Sequence, residues 1–225
     1  MEQRPPLCRN IPAFLELLCL AGGICRRRVE MPGVYEPGEL DLAGTIVGVV
    51  ERDKIINGST ICPGDVIVGL PSTGLHTNGY SLARRVLDGL DWQATHPALG
   101  ISIGEALLAV HRCYLEPVQQ LWAAGVNLRG LAHITGGGFV DNLPRVLPAS
   151  VGAVIRRGAW PELPIFGLIQ QQGEIPFDEM FHVFNMGLGM LIVVPPGQVS
   201  EVQAVLADVY VVGEIVGGKS GVSIV

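Results

Sequence analysis

Short β-branched runs alternate with stretches of helical period over most of this chain, a pattern that predicts a sheet covered by helices. Residues 44–51 (GTIVGVVE) read as a strand, and the turn pairs Asn57-Gly58 and Pro63-Gly64 bracket a connector. A domain boundary is therefore expected between Lys54 and Pro63, separating an atypical segment 1–60 from a domain 61–225. Beyond it, residues 65–70 (DVIVGL) read as a buried strand and 80–90 as a helix. A long helix is expected over 104–124, where Ala106, Leu107, Val110, Tyr114, Val118 and Leu121 recur every three or four residues. Strands follow at 128–134, 152–155, 189–194, 209–215 and 222–225, with helices at 166–172, 178–184 and 199–206. The fold class is α/β or α+β, a mixed sheet with covering helices and no internal repeat.

Composition narrows the classes. At 225 residues and 48% hydrophobic content the chain can bury a core and make one or two domains. Fifteen Lys and Arg against 21 Asp and Glu give a net charge of −6 without a basic stripe, so nucleic acid is not an expected partner. Arg26-Arg27-Arg28 reads as a solvated turn. Five cysteines, with no C-x-x-C pair, support neither a zinc framework nor a disulfide one, and a reducing cytoplasm fits them. The apolar stretch 11–25 is interrupted by Glu16 and is too short to span a bilayer, so no membrane partner is expected.

Candidate chemistry gathers in three places. Residues 69–85 (GLPSTGLHTNGYSLARR) pass from a strand through a polar glycine loop into a helix, a layout suited to phosphate because unpaired N–H groups at a helix start favour an anion. His76 in that loop is expected to be partly exposed, as a proton donor or phosphate partner. Asn78 and Ser81 read as helix caps, a role compatible with anion binding. His133, Thr135 and the run Gly136-Gly137-Gly138 repeat the arrangement after a second strand; three glycines cost backbone entropy, which points to close approach of backbone to a ligand. Arg145 beyond them could clamp a phosphate or pair with Asp141. Asn185, before Gly187, reads either as a helix end or as a cleft residue.

Three of these segments, LPSTGLHTNGYSLARRVL at 70–87, AHITGGGFVDNLPRVLP at 132–148 and FNMGLGM at 184–190, together with MPGVY at 31–35, resemble phosphoribosylformylglycinamidine cyclo-ligase, also called aminoimidazole ribonucleotide synthetase. The resemblance runs from about Glu30 to the C-terminus. It implies the synthetase-superfamily C-terminal fold, preceded by a remnant of the N-terminal domain. It also implies a cytoplasmic, homodimeric ligase of purine biosynthesis that uses ATP and Mg2+ to close formylglycinamidine ribonucleotide into aminoimidazole ribonucleotide. The matching positions imply catalytic roles for His76 and His133, and substrate or phosphate binding by Asn78, Gly79, Ser81, Thr135, Gly136, Gly137, Gly138 and Asn185. Four features depart from the family. The Gly-Thr-Asp-Gly-Val-Gly-Thr-Lys segment and the Asn-Asp pair that serve Mg-nucleotide are not in this sequence, so activity of the chain alone is expected to be impaired. GGICRRRVE at 22–30 stands where the family has Gly-Gly-Glu-Thr-Ala-Glu, and Val110-His111-Arg112 stands where it usually has Pro-Thr-Arg; His111 reads as a helix-surface residue. The alternatives are a non-catalytic remnant that binds a phosphorylated ligand, or another member of the superfamily such as selenophosphate synthetase, thiamine-monophosphate kinase or a hydrogenase maturation factor. The wording of the histidine and triple-glycine loops argues against the second.

Overall fold

The computed structural model describes residues 24–27, 43–46, 48–218 and 221–225. The MPGVY stretch, Glu30 and most of the apolar stretch at 11–25 lie outside the described residues. The chain divides into two compact units, residues 1–55 and 56–225. In the first, β1 (Ile24–Arg27) pairs antiparallel with β2 (Ala43–Ile46), Ile24 opposite Ile46. Arg26 and Arg27 thus stand in a strand and not in the expected turn, and β2 stops short of the strand expected to reach Glu51.

The second unit is built on six strands: β3 (Val66–Pro71), β4 (Gly130–His133), β5 (Val151–Ile155), β6 (Leu188–Val194), β7 (Tyr210–Gly217) and β8 (Val222–Ile224). They lie in the order β4-β6-β3-β7-β5-β8, and every neighbouring pair is antiparallel except β5 with β8. The central strands are apolar on both faces because both faces are covered. Ile67, Leu191 and Val193 face one core with Phe139, Phe166, Phe181 and Phe184, while Val68, Leu70, Ile192 and Val194 face a smaller core with Leu121, Val202 and Leu206. Each fully buried side chain of this kind contributes about 1.5–3 kcal/mol over an exposed one.

The covering helices are α1 (Tyr80–Val86), α2 (Ile103–Leu107), α3 (Leu115–Ala123), α4 (Gly138–Asn142), α5 (Pro164–Gly173), α6 (Phe177–Val183) and α7 (Val199–Val205). The single helix expected over 104–124 is two helices separated by the loop 108–114. Proline explains the break. Pro117 has no N–H to give and its ring would strike the carbonyl one turn back, so it is tolerated only in a helix's first turn, which is where α3 places it. At the other end, Ser102 and Glu105 form a reciprocal capping box that starts α2. The loop released between them carries His111 and Tyr114 to the C-terminal end of β3.

Candidate functional site

After Pro71 the chain leaves the sheet through residues 72–79, and Asn185 holds that loop in place. Its Oδ1 accepts from the Ser72 hydroxyl and from Gly187 N–H, and its Nδ2 donates to the Gly74 carbonyl, each at 2.9 Å. Asn185 is buried, so these bonds form in a low-dielectric setting where each lost partner would leave an orphaned polar group. The Thr73 hydroxyl donates to the Val110 carbonyl at 2.5 Å, tying the same loop to 108–114.

His76 is not the partly exposed loop side chain expected from sequence. It is 4% exposed, because its left-handed backbone (φ 58°) turns the ring inward under His111. The two rings stack with centroids 3.8 Å apart and 17° between planes. Thr73 N–H donates to His76 Nε2 at 3.2 Å, which leaves the ring proton on Nδ1, a buried atom with no hydrogen-bond partner among the described residues. His133, the last residue of β4 and opposite Met190 of β6, is exposed and stands 5.4 Å from the His111 ring. Tyr114 completes the group: its ring is 6.1 Å from both His76 and His133, and its hydroxyl donates to the Pro71 carbonyl at 2.9 Å.

Below these rings lies Gly189 of β6. A Cβ there would fall 2.0 Å from Tyr114 Oη and 2.6 Å from His76 Cε1, so only glycine leaves room for both. The helical period over 104–124 places Tyr114 at an apolar helix position and His111 on a helix surface, whereas both lie in the loop 108–114. Pro117 was the signal that both belong to a loop.

The second glycine loop meets the first, with the Asn78 amide oxygen 3.4 Å from where a Gly136 Cβ would stand. Gly137 and Gly138 also have reasons within the chain. Both have positive φ (92° and 55°), and a Cβ on Gly138 would lie 1.9 Å from the Phe181 carbonyl oxygen. Asn142 wraps the loop, donating to the carbonyls of Gly138 at 2.8 Å and Gly136 at 3.2 Å while accepting from the Thr135 hydroxyl at 3.0 Å. The residue at the start of α1 is Gly79 (φ 78°), whose Cβ would strike the Phe184 ring; neither Asn78 nor Ser81 caps the helix with its side chain. Ser81 is exposed, and no Arg145–Asp141 ion pair forms among the described residues.

The electrostatics follow from the packing. Burial, and after it the neighbouring His111, His133 and Arg112, lower the His76 pKa from 6.5 to about 3. Partial desolvation lowers those of His111 and of the more exposed His133 as well, with His133 adding to the effect on His111. Burial raises the Tyr114 phenol above its ordinary value. All three imidazoles are therefore neutral at pH 7. In the unfolded chain they protonate near pH 6.5, so at lower pH the unfolded state binds more protons and the native state loses stability as pH falls from about 6.5 toward about 3. Denaturant unfolding in metal-free buffer is expected to give a lower unfolding free energy at pH 5 than at pH 7. The His76→Asn variant, which tolerates the left-handed backbone and does not titrate, should show a shallower decline.

This frame has known counterparts. The C-terminal domain of AIR synthase related protein matches residues 62–225, most of the chain. Phosphoribosylformylglycinamidine cyclo-ligase of Bifidobacterium longum (strain DJO10A) is 41% identical over 235 aligned residues, covering 96% of this chain and 68% of its own length. The chloroplastic/mitochondrial protein of that name from Vigna unguiculata is 46% identical over 195 residues, covering 84% of this chain and 50% of its own. The chain belongs to the phosphoribosylformylglycinamidine cyclo-ligase family, whose members are enzymes by name, and spans half to two thirds of the length of these relatives.

Solved structures agree on the fold alone. Hydrogenase maturation protein HypE of E. coli superposes with a TM-score of 0.53 at 20% identity, over 84% of this chain and 56% of that one. Thiamine-monophosphate kinase of Stenotrophomonas maltophilia K279a gives 0.52 at 16%, over 78% and 54%. The superfamily fold is thus shared with these proteins, while the sequence sides with the cyclo-ligases.

Proposed function

We propose that residues 56–225 supply one half of the catalytic cleft of a cyclo-ligase that closes formylglycinamidine ribonucleotide to aminoimidazole ribonucleotide in purine biosynthesis. The observation that carries this is the meeting of the two loops named by the family resemblance, with ligating nitrogens of His76 and His133 within 4.8 Å of each other. In the proposed reaction ATP phosphorylates the formyl amide oxygen, and the amidine nitrogen then attacks that carbon and expels phosphate. Amide oxygen is a poor leaving group, so the protein's task is to position the reactants and stabilise developing charge.

An imidazole with a pKa of about 3 is poorly matched to acid–base work at neutral pH, so His76 acts as a neutral hydrogen-bond donor through Nδ1–H toward the amide-derived oxygen. His133, exposed and neutral, takes the proton released by the attacking nitrogen. His111 covers His76 and swings aside when substrate enters. Asn185 and Asn142 keep the two loops at their mutual distance, and the Asn78, Gly79 and Ser81 edge together with Thr135 and Gly136 receives the phosphate groups.

A HypE of the same fold was solved in complex with ATP (TM-score 0.50, 19% identity), which agrees with nucleotide as co-substrate. Magnesium prefers carboxylate and other oxygen ligands, and the metal-ligating cluster found among the described residues consists of imidazoles. These residues do not fit Mg2+. On the family resemblance the enzyme works in the cytoplasm as a homodimer.

Histidine side-chain NMR of the full chain tests the reading. Saturating formylglycinamidine ribonucleotide is expected to shift the His133 and His76 resonances and leave His182, exposed on α6, unmoved. Ligand binding that leaves His133 and His76 unshifted would overturn it.

A further inference from the structure

We propose that His76, His111 and His133 form a binding site for a borderline divalent transition-metal ion of the Zn2+ or Co2+ class. This goes beyond the ring-closing reading and does not depend on it. One nitrogen from each ring lies within 4.8 Å of the others, and the three come from separate places in the fold: the loop after β3, the loop before α3 and the end of β4. Three imidazoles with a remaining open position are a set that suits zinc and its neighbours, not magnesium or calcium. The histidine that completes the set is His111, where relatives usually carry threonine by the resemblance described above.

The site's present state favours capture. His76 Nδ1 is buried and has no partner among the described residues. An ion at Nδ1 supplies one: the Nδ1 proton moves to Nε2, which gives up its 3.2 Å bond from Thr73, and the ring stays neutral overall. Metal–nitrogen bonds of about 2.1 Å put the three nitrogens closer together than they stand now, so binding draws the rings inward and opens the His76–His111 stack. His111 is half-buried on a loop and can make that rotation, while His76 is buried in the loop after β3 and His133 is held by the end of β4. An ion seated there occupies the face proposed above for substrate, so metal and substrate compete.

The test is equilibrium titration of the full 225-residue chain with Co2+, read by its visible d–d bands, and with Zn2+ in competition, the cysteines being kept reduced. One ion per chain is expected, with bands of imidazole ligation. His111→Thr and His133→Ala should each weaken binding by at least about 10–100-fold, the loss seen even when only an outer partner of a metal ligand is removed. His182→Ala should leave affinity unchanged, and a circular-dichroism melt confirms that each variant is folded. Absence of binding, equal affinity in wild type and His111→Thr, or thiolate charge-transfer bands showing the ion on a cysteine would each overturn the proposal.

Discussion

Gly138→Ala is expected to lower the unfolding free energy by roughly 3 kcal/mol or more, combining the strain of a left-handed alanine with an overpacking clash. At this position φ is 55° and a Cβ would lie 1.9 Å from the Phe181 carbonyl oxygen, so relief requires α4 and α6 to separate. Both helices pack Phe139 and Phe181 into the larger core, with ring centroids 5.4 Å apart, and a shift there opens cavities. Gly125→Ala is the matched control. It has φ 80° with nothing within 4 Å of the added Cβ, and should cost only about 1–2 kcal/mol from backbone strain. Denaturant unfolding of the two variants checks the difference; equal losses would mean that Gly138 answers only to its dihedral angle and not to the close approach of α6.

The second large effect concerns His76. A hybrid that joins the N-terminal part of the Bifidobacterium longum relative to residues 62–225 of this chain supplies the segments that the resemblance assigns to Mg-nucleotide. In it, His76→Ala is expected to lower turnover by about 100-fold, the scale for losing one hydrogen-bonding or proton-transfer partner in the transition state. Alanine is strained at φ 58°, so His76→Asn is measured beside it as a variant that keeps the backbone. Both should lose turnover with KM little changed. Turnover preserved in either would return His76 to a purely structural place beneath His111.

Why some features were legible in the sequence and others were not follows from how local their causes are. The strands β3 and β6 were readable because both faces are buried, so VIVGLP and LGMLIVV are continuous apolar runs. The histidine loop after β3 and the glycine loop after β4 stand out through composition. The helical period over 104–124 persisted across a gap that Pro117 enforces, and following the period over the proline hid the loop carrying His111 and Tyr114. The burial of His76 depends on His111 and Gly189, both remote in sequence, and no local pattern announces it. Asn185 was ambiguous for the same reason: its partners Ser72 and Gly74 are brought near only when β3 pairs with β6. The glycine run was read as room for a ligand, whereas Gly138 also makes room for the chain's own α6.

ATP-dependent formation of aminoimidazole ribonucleotide by the hybrid tests most directly whether these loops form a cyclo-ligase cleft. The account predicts product from the hybrid with intact loops, at a rate that falls about 100-fold with His76→Ala. A hybrid that melts cooperatively like the intact Bifidobacterium longum enzyme, binds ATP, and yet forms no product would contradict it.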